Sequence, residues 1–371
     1  MARRVPLLNL QALHAPFRDE ILAEMARVFD SQAFILGEDV SRLERSIATY
    51  CHAPFAIGCA SGTDALILAL AAAGVGRGDQ VITSPFTFFS TASAIHLLGA
   101  KPVFADIDPA TFNLCPMALE EAAERCGGPV KAVIPVHLFG GSSDMDPILG
   151  SAARHGWRVI EDGAQAVGAE YCGRRVLGLG TFGCLSFFPS KNLGGLGDGG
   201  MVTTSGPEDA QLLRMLRVHG SAQKYFHTHV GYNSRLDTLQ AAVLNVKLRF
   251  LDAETAGRQR NAARYGELLA GLPVRPPVPA AYQTRHVFNQ YVIRCARRDE
   301  LKAHLGREGV GAEIYYPLPL HLQECFRYLG YGPGDFPESE KAAGEVLALP
   351  IHSALADEDL AYVAGAIARF F

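Results

Sequence analysis

Charge is scarce in this 371-residue chain. Asp, Glu, Lys and Arg make up 19% of it, against about a quarter in an average soluble domain. So thin a charged surface fits one that is partly covered by a second subunit. The basic residues are scattered and the formal net charge is −4, so the basic field needed for non-specific nucleic-acid binding is missing. Long apolar runs are missing as well. The most apolar stretch, Ala65 to Val75, is about half the ~18 residues of a membrane span. Near the N-terminus, Arg3-Arg4 is followed by Pro6, Asn9, Gln11 and His14, which is no signal-peptide core. The eight cysteines form no C-x-x-C pair and no regular spacing. In a chain this long they are expected to be reduced, mostly buried thiols of a cytoplasmic protein. There is no internal repeat and no low-complexity segment. Apolar residues, by contrast, reach 49%, enough for a sizeable core and against wholesale disorder.

Short Val- and Ile-rich runs alternate with helical patterns from residue 55 onward. Strands are expected at Phe55–Cys59, Gln80–Thr83, Pro102–Asp106, Val130–His137, Arg158–Glu161, Thr181–Phe188 and Gly200–Thr204. Helices are expected between them, as at Asp64–Ala73 and Ala92–Leu98. That alternation predicts an α/β fold with a mostly parallel central sheet and helices on both faces. The last two strands lie close enough for an antiparallel pair. Thr238 to Glu267 reads as one long helix. The prolines between Leu272 and Pro279 mark a boundary, beyond which a smaller C-terminal α+β unit is expected, with strands at Phe288–Cys295 and near Ala312–Tyr316. The resulting division is a large domain over 1–250 and a small one over 251–371.

Three stretches carry chemistry. In Phe55-Ala-Ile-Gly-Cys-Ala-Ser-Gly-Thr-Asp-Ala-Leu66 a strand runs into Ser61-Gly62-Thr63 and a helix opens. Free backbone N–H groups there suit a phosphate, with an ordinary capped turn as the alternative. In Arg158-Val-Ile-Glu-Asp-Gly-Ala-Gln165, Glu161 and Asp162 fall at the carboxyl end of a buried strand, where open α/β sheets bind ligands. Such a carboxylate can serve as a metal ligand, a base, a partner for a protonated ring nitrogen, or merely a helix cap. In Leu185-Ser-Phe-Phe-Pro-Ser-Lys191, Pro189 ends an apolar strand and leaves Lys191 at a glycine-rich turn. A desolvated amine there has a lowered pKa and attacks aldehydes. The glycines Gly195-x-Gly197-x-x-Gly200 lead into a strand rather than a helix, so they do not qualify as a dinucleotide fingerprint. His219, His227 and His229 lack a further ligand at helical spacing and predict a polar loop, with no metal site. A phosphate turn, a strand-end acid and a lysine together match the needs of pyridoxal 5'-phosphate.

With those residues in place, the chain resembles the sugar aminotransferases of the DegT/DnrJ/EryC1/StrS family, within the fold-type-I pyridoxal-phosphate enzymes. The resemblance runs from Pro6-Leu-Leu-Asn-Leu through Gly62-Thr-Asp-Ala-Leu, Glu161-Asp-Gly-Ala-Gln and Ser186-Phe-Phe-Pro-Ser-Lys. It continues to Gly231-Tyr-Asn-Ser-Arg-Leu-Asp237 and Leu349-Pro-Ile-His352. It implies that Lys191 is the Schiff-base lysine and proton carrier. It further implies that Asp162 partners the pyridine nitrogen and that Gln165 lies near the phenolic oxygen. Gly62, Thr63 and Ser186 match phosphate contacts, and Phe88 matches the residue stacked on the ring. Asn233 and Arg235 resemble residues that reach the neighbouring subunit's site in a homodimer, for the cofactor phosphate and the sugar nucleotide. Tyr315 and Tyr316 resemble a segment facing the nucleotide.

The resemblance implies L-glutamate as amino donor and, as acceptor, a UDP- or dTDP-linked 3-keto-hexose or hexuronate aminated at C3. Amination at C4 is an alternative within the family, and a catalytically retired regulator or scaffold is one outside it. Family members that dehydrate sugars carry His at the lysine position. The subgroup acting on UDP-2-acetamido-3-keto-hexuronic acid tends to carry His-Tyr where this chain has Tyr315-Tyr316.

Overall fold

A computed structural model of the chain describes residues 3–371. Seven strands form the central sheet: β1 (Phe55–Cys59), β2 (Gln80–Thr83), β3 (Lys101–Phe104), β4 (Val130–Ile134), β5 (Arg158–Asp162), β6 (Phe182–Ser186) and β7 (Gly200–Thr204). Their order is β1-β7-β6-β5-β4-β2-β3. The sheet is mostly parallel, as the alternation with helices predicts. β7 is antiparallel to β6, as their closeness in sequence suggests, and also to β1 on its other side. Gly200 therefore pairs with Cys59 on one side and Ser186 on the other.

Helices pack on both faces. α1 (Arg18–Ser31) and α2 (Glu38–Tyr50) precede the sheet, and α3 (Gly62–Ala72) follows β1. α3 is apolar almost all round, as a helix buried on all sides must be. Its Leu66, Leu68 and Leu70 are all buried, each contributing roughly 2 kcal/mol by leaving water. α4 (Ser90–Leu97), α5 (Pro116–Glu124), α6 (Met145–His155) and α7 (Pro207–Leu216) complete the layers. Among the described residues no helix is long and apolar enough to cross a membrane.

The expected single helix from Thr238 to Glu267 is two helices, α8 (Thr238–Leu248) and α9 (Leu251–Leu268). The break has a packing cause. Phe250 turns to stack on Phe17, ring centroids 5.2 Å apart, and α9 restarts with Asp252 and Glu254 in its first turn, where acids favour a helix start.

A second core surrounds an antiparallel pair, β8 (Tyr291–Arg294) and β9 (Val346–Leu349). Val5, from the N-terminal segment, belongs to that core and bridges Val310. The expected strand over Ala312–Tyr316 is reduced to a single bridge, Glu313 with Ala348. Glu313 and Ala348 exchange both backbone hydrogen bonds, at 3.3 and 2.8 Å, and no further pair of that ladder forms among the described residues.

Candidate active site

A cavity of about 450 Å3 opens at the carboxyl ends of β5 and β6. Thr63, Phe88, Asp162, Gln165, Ser186, Lys191, Tyr315 and Tyr316 all line it, so most residues singled out from the sequence meet in one place. Gly62 sits just behind Thr63, and a Cβ on it would come within 2.6 Å of Ser186 Cβ. The first turn of α3 and the end of β6 can approach this closely only because residue 62 has no side chain. Ser61 caps α3, its Oγ accepting the Asp64 N–H at 3.0 Å, which leaves N–H groups of the first turn at the cavity's edge.

Lys191 follows β6 on a turn closed by its own N–H to Phe188 O, 2.9 Å, and by Gly195 N–H to Phe187 O, 2.7 Å. α8 holds the rest of the turn. Gln240 Oε1 accepts the Leu196 N–H at 2.8 Å, and Lys247 Nζ donates to Gly194 O and to His14 Nε2. Burial pushes the Lys191 ammonium down to about 8, with the Asp162 carboxylate pulling the other way. A sizeable neutral fraction is therefore present near neutral pH.

The alternation of a strand sends Glu161 and Asp162 to opposite faces of the sheet. Asp162 faces the cavity. It accepts from Thr91 Oγ1 at 2.8 Å and from the Ala164 N–H at 3.2 Å, and it forms no salt bridge among the described residues. Burial raises its pKa, opposed by those hydrogen bonds and by Lys191. A cationic ring nitrogen opposite it would relieve that imbalance. Glu161 lies on the other face, fully buried. It accepts from His137 Nε2 at 3.0 Å and from the N–H groups of Leu177, Leu179 and Gly180 at 2.7, 2.8 and 2.7 Å. The Ser143 N–H donates to His137 Nδ1 at 3.0 Å, so the proton of the neutral ring is on Nε2.

Gln165 has both ends engaged: Oε1 accepts the Phe139 N–H at 2.7 Å, and Nε2 donates to Tyr316 Oη at 3.0 Å. Phe86, two residues earlier, is core, whereas Phe88 is 55% exposed and stands at the cavity 6.1 Å from the Tyr316 ring. Asn233 and Arg235 do not line this cavity. Between them, Ser234 is buried and ties the first turn of α3 in place, its Oγ donating to Asp64 Oδ2 at 2.8 Å and accepting the Ala60 N–H at 3.2 Å. Sequence reasoning missed Thr91, Ser190 and Gln290, the last two lining the cavity. Thr91 had a weak signal, standing one residue before the expected helix at Ala92.

The residues present fit pyridoxal phosphate. They offer a depressed amine, a buried acid without a cation, and N–H groups with hydroxyls where a phosphate would rest. The profile of the DegT/DnrJ/EryC1/StrS aminotransferase family matches residues 16–368. The chain is 50% identical over 372 residues to a protein of Geobacillus stearothermophilus named pleiotropic regulatory protein, covering 99% of this chain and 98% of that one. It is 45% identical to the UDP-N-acetyl-3-dehydro-alpha-D-glucosamine 3-aminotransferase of Acidithiobacillus ferrooxidans, over 98% and 97% of the two chains. The crystal structure of S. venezuelae DesV in complex with a ketimine intermediate superposes with a TM-score of 0.95 at 41% identity, covering 99% of this chain and 98% of that one.

Proposed function

The chain belongs to the DegT/DnrJ/EryC1/StrS aminotransferase family, and on that premise we propose that it moves the amino group of L-glutamate onto C3 of a UDP- or dTDP-linked 3-keto-hexose or hexuronate. It is an aminotransferase whose cofactor is pyridoxal 5'-phosphate. The observation that carries the reading is the single cavity that joins Lys191, Asp162 and the first turn of α3. The UDP-linked alternative draws support from the name of the Acidithiobacillus relative, a UDP-sugar 3-aminotransferase.

Bound there, the cofactor supplies a carbon electrophilic toward amines and a ring that takes up electrons. Lys191, neutral in part near pH 8, takes a proton from the substrate carbon and returns it. Asp162, oriented by Thr91 Oγ1 and the Ala164 N–H, keeps a proton on the ring nitrogen. Thr63, Ser186 and the backbone of Gly62 hold the phosphate, Phe88 covers the ring, and Gln165 with Tyr316 fixes the wall beside it. Tyr315 and Tyr316 face the sugar nucleotide. Residues 1–250 make up the cofactor-binding domain and 251–371 the smaller one, in a cytoplasmic protein.

Asn233 and Arg235 serve the site of a second subunit, consistent with their position away from this chain's own cavity. Mixing Lys191→Ala with Arg235→Ala under conditions of subunit exchange tests this. Each parent should be inactive, and heterodimers should regain activity because one of their sites carries neither lesion. Heterodimers without activity would mean that the site is built within one chain.

The function itself is tested with the purified yellow protein. L-Glutamate should bleach its visible band, and a panel of UDP-, dTDP- and GDP-linked 3-keto-sugars should restore it with one nucleotide preferred. The name of the Geobacillus relative favours a second reading, a regulator that keeps the fold. A band that glutamate alone leaves unchanged would overturn the donor, and a band that no amino donor bleaches would support that second reading.

A further inference from the structure

A smaller cavity, of about 50 Å3, lies beside the main one and shares Ser190, Gln290 and Tyr315 with it as walls. It is large enough for more than one water. Arg258 of α9, Asn289 and His352 also line it, and all three are buried. Arg258 Nη1 donates to the carbonyls of Phe288 and Asn289 at 3.0 and 3.4 Å. Its Nε and Nη2 have no partner among the described residues, and the guanidinium forms no salt bridge there. Both ring nitrogens of His352 and the Oδ1 of Asn289 are buried without a hydrogen bond.

Buried polar groups are rarely left unpaired, and a buried cation is costly unless an anion meets it. Here several such groups converge on one void. Its charge is also lopsided: buried Lys247 lies behind it with only neutral hydrogen-bond partners, His14 and Gly194 O. Among the described residues, Glu254 is the one acid that acts on both cations. Burial, with the nearby Arg258 charge, holds His352 down to about 4, so it is neutral and offers one N–H. The free Nε–Nη2 edge of the guanidinium and the single N–H of a neutral imidazole match a small anion with two oxygens, such as a carboxylate, better than a spherical one, because that edge donates two parallel N–H bonds.

We propose that this cavity is the recognition site for a carboxylate of the amino donor, with Arg258 as its ionic partner and His352 as its hydrogen-bond partner. The site lies one residue from Lys191, through Ser190, so a dicarboxylic amino acid can present its amine to the main cavity while one carboxylate is held here. This rests on the reading of L-glutamate as donor, and it gives that reading a structural basis for preferring acidic donors over neutral ones.

Glutarate, which has both carboxylates and no amine, is the probe. Calorimetry on the cofactor-loaded protein should show it binding, undisturbed by chloride at matched ionic strength. In Arg258→Gln, glutarate affinity should fall and the glutamate concentration for half-bleaching rise by at least about 30-fold, while the maximal bleaching rate changes less than about threefold. Arg258 also holds two backbone carbonyls, so that variant can fail to fold. His352→Leu removes no hydrogen bond from the fold and should raise both constants about 10-fold. No glutarate binding to the wild type, displacement of glutarate by chloride, or constants within twofold of wild type in His352→Leu would each overturn the proposal. Should glutamate fail to bleach the wild type, the donor assigned above falls, and the glutarate titration still decides the carboxylate site.

Discussion

One peptide bond separates two acids with opposite surroundings. Behind the sheet end, Glu161 is met by four donors, three of them backbone N–H groups, and nothing in that region is left to bind. In front of it, Asp162 has two donors and faces a cavity beside a depressed lysine. Both are buried carboxylates at the end of the same strand, and burial alone does not tell them apart. What does is whether the polar capacity is used up. A saturated acid fixes structure, whereas an unsaturated one is poised for a ligand.

Substituting each acid in turn by its amide is the sharpest way to break this comparison. Asp162→Asn should lower turnover by about 10²–10³-fold and weaken cofactor retention, while the melting temperature stays close to wild type. Steady-state rates and the bound visible band measure both, and near wild-type turnover would make Asp162 a structural cap. Glu161→Gln should do the reverse. Its amide NH2 would confront the N–H groups that now converge on a carboxylate, lowering stability by about 2–4 kcal/mol as read from urea unfolding. Activity per folded molecule should remain within about threefold. Equal losses of activity in the two variants would collapse the distinction.

The smallest effect concerns Lys191 itself. In the apo-protein its amine should react with an acylating reagent with a midpoint near pH 8, well below an exposed lysine's ~10.4. Asp162→Asn should move that midpoint lower still, since the carboxylate favours the charged amine. The folded-state pKa lies below the unfolded one, so between about 8 and about 10.4 the unfolded chain holds more protons. The contribution of Lys191 to stability therefore rises with pH through that window. Competitive labelling read by mass spectrometry gives the midpoint, and a wild-type value near 10.4 would remove the desolvated amine from the argument.

The sequence made much of this legible, and its silences have physical causes. The Val- and Ile-rich runs placed every strand of the central sheet, because strands buried on both faces leave little choice of residue. Lys191, Asp162 and the Gly62 turn stood out because each is local: a strand, its end, and the residue that leaves it. The partners that hold them did not. Thr91, which hydrogen-bonds Asp162, and Gln240, which holds the turn after Lys191, come from other segments and carry no motif of their own. The carboxylate cavity joins Arg258 to His352 across the second core, and an arginine in an amphipathic helix looks like any surface arginine until its burial is known. The Ala312–Tyr316 segment has strand-like residues, yet only Glu313 in it meets a partner.

Strand β7, antiparallel between β1 and β6, also bears on the order in which a ribosome delivers this chain. Among the described residues β1 has no sheet neighbour but β7, so Phe55–Cys59 and the turn that follows wait, unpaired, until Thr204 has emerged. Synthesis proceeds at about 5–20 residues per second, which leaves that edge without its partner for many seconds while β2 to β5 can already assemble. A nascent chain stalled before β7 would hold a nearly complete parallel sheet beside an orphaned apolar strand. That interval is when this protein most needs protection from self-association, and ribosome-bound chains arrested on either side of residue 204 should differ sharply in chaperone capture.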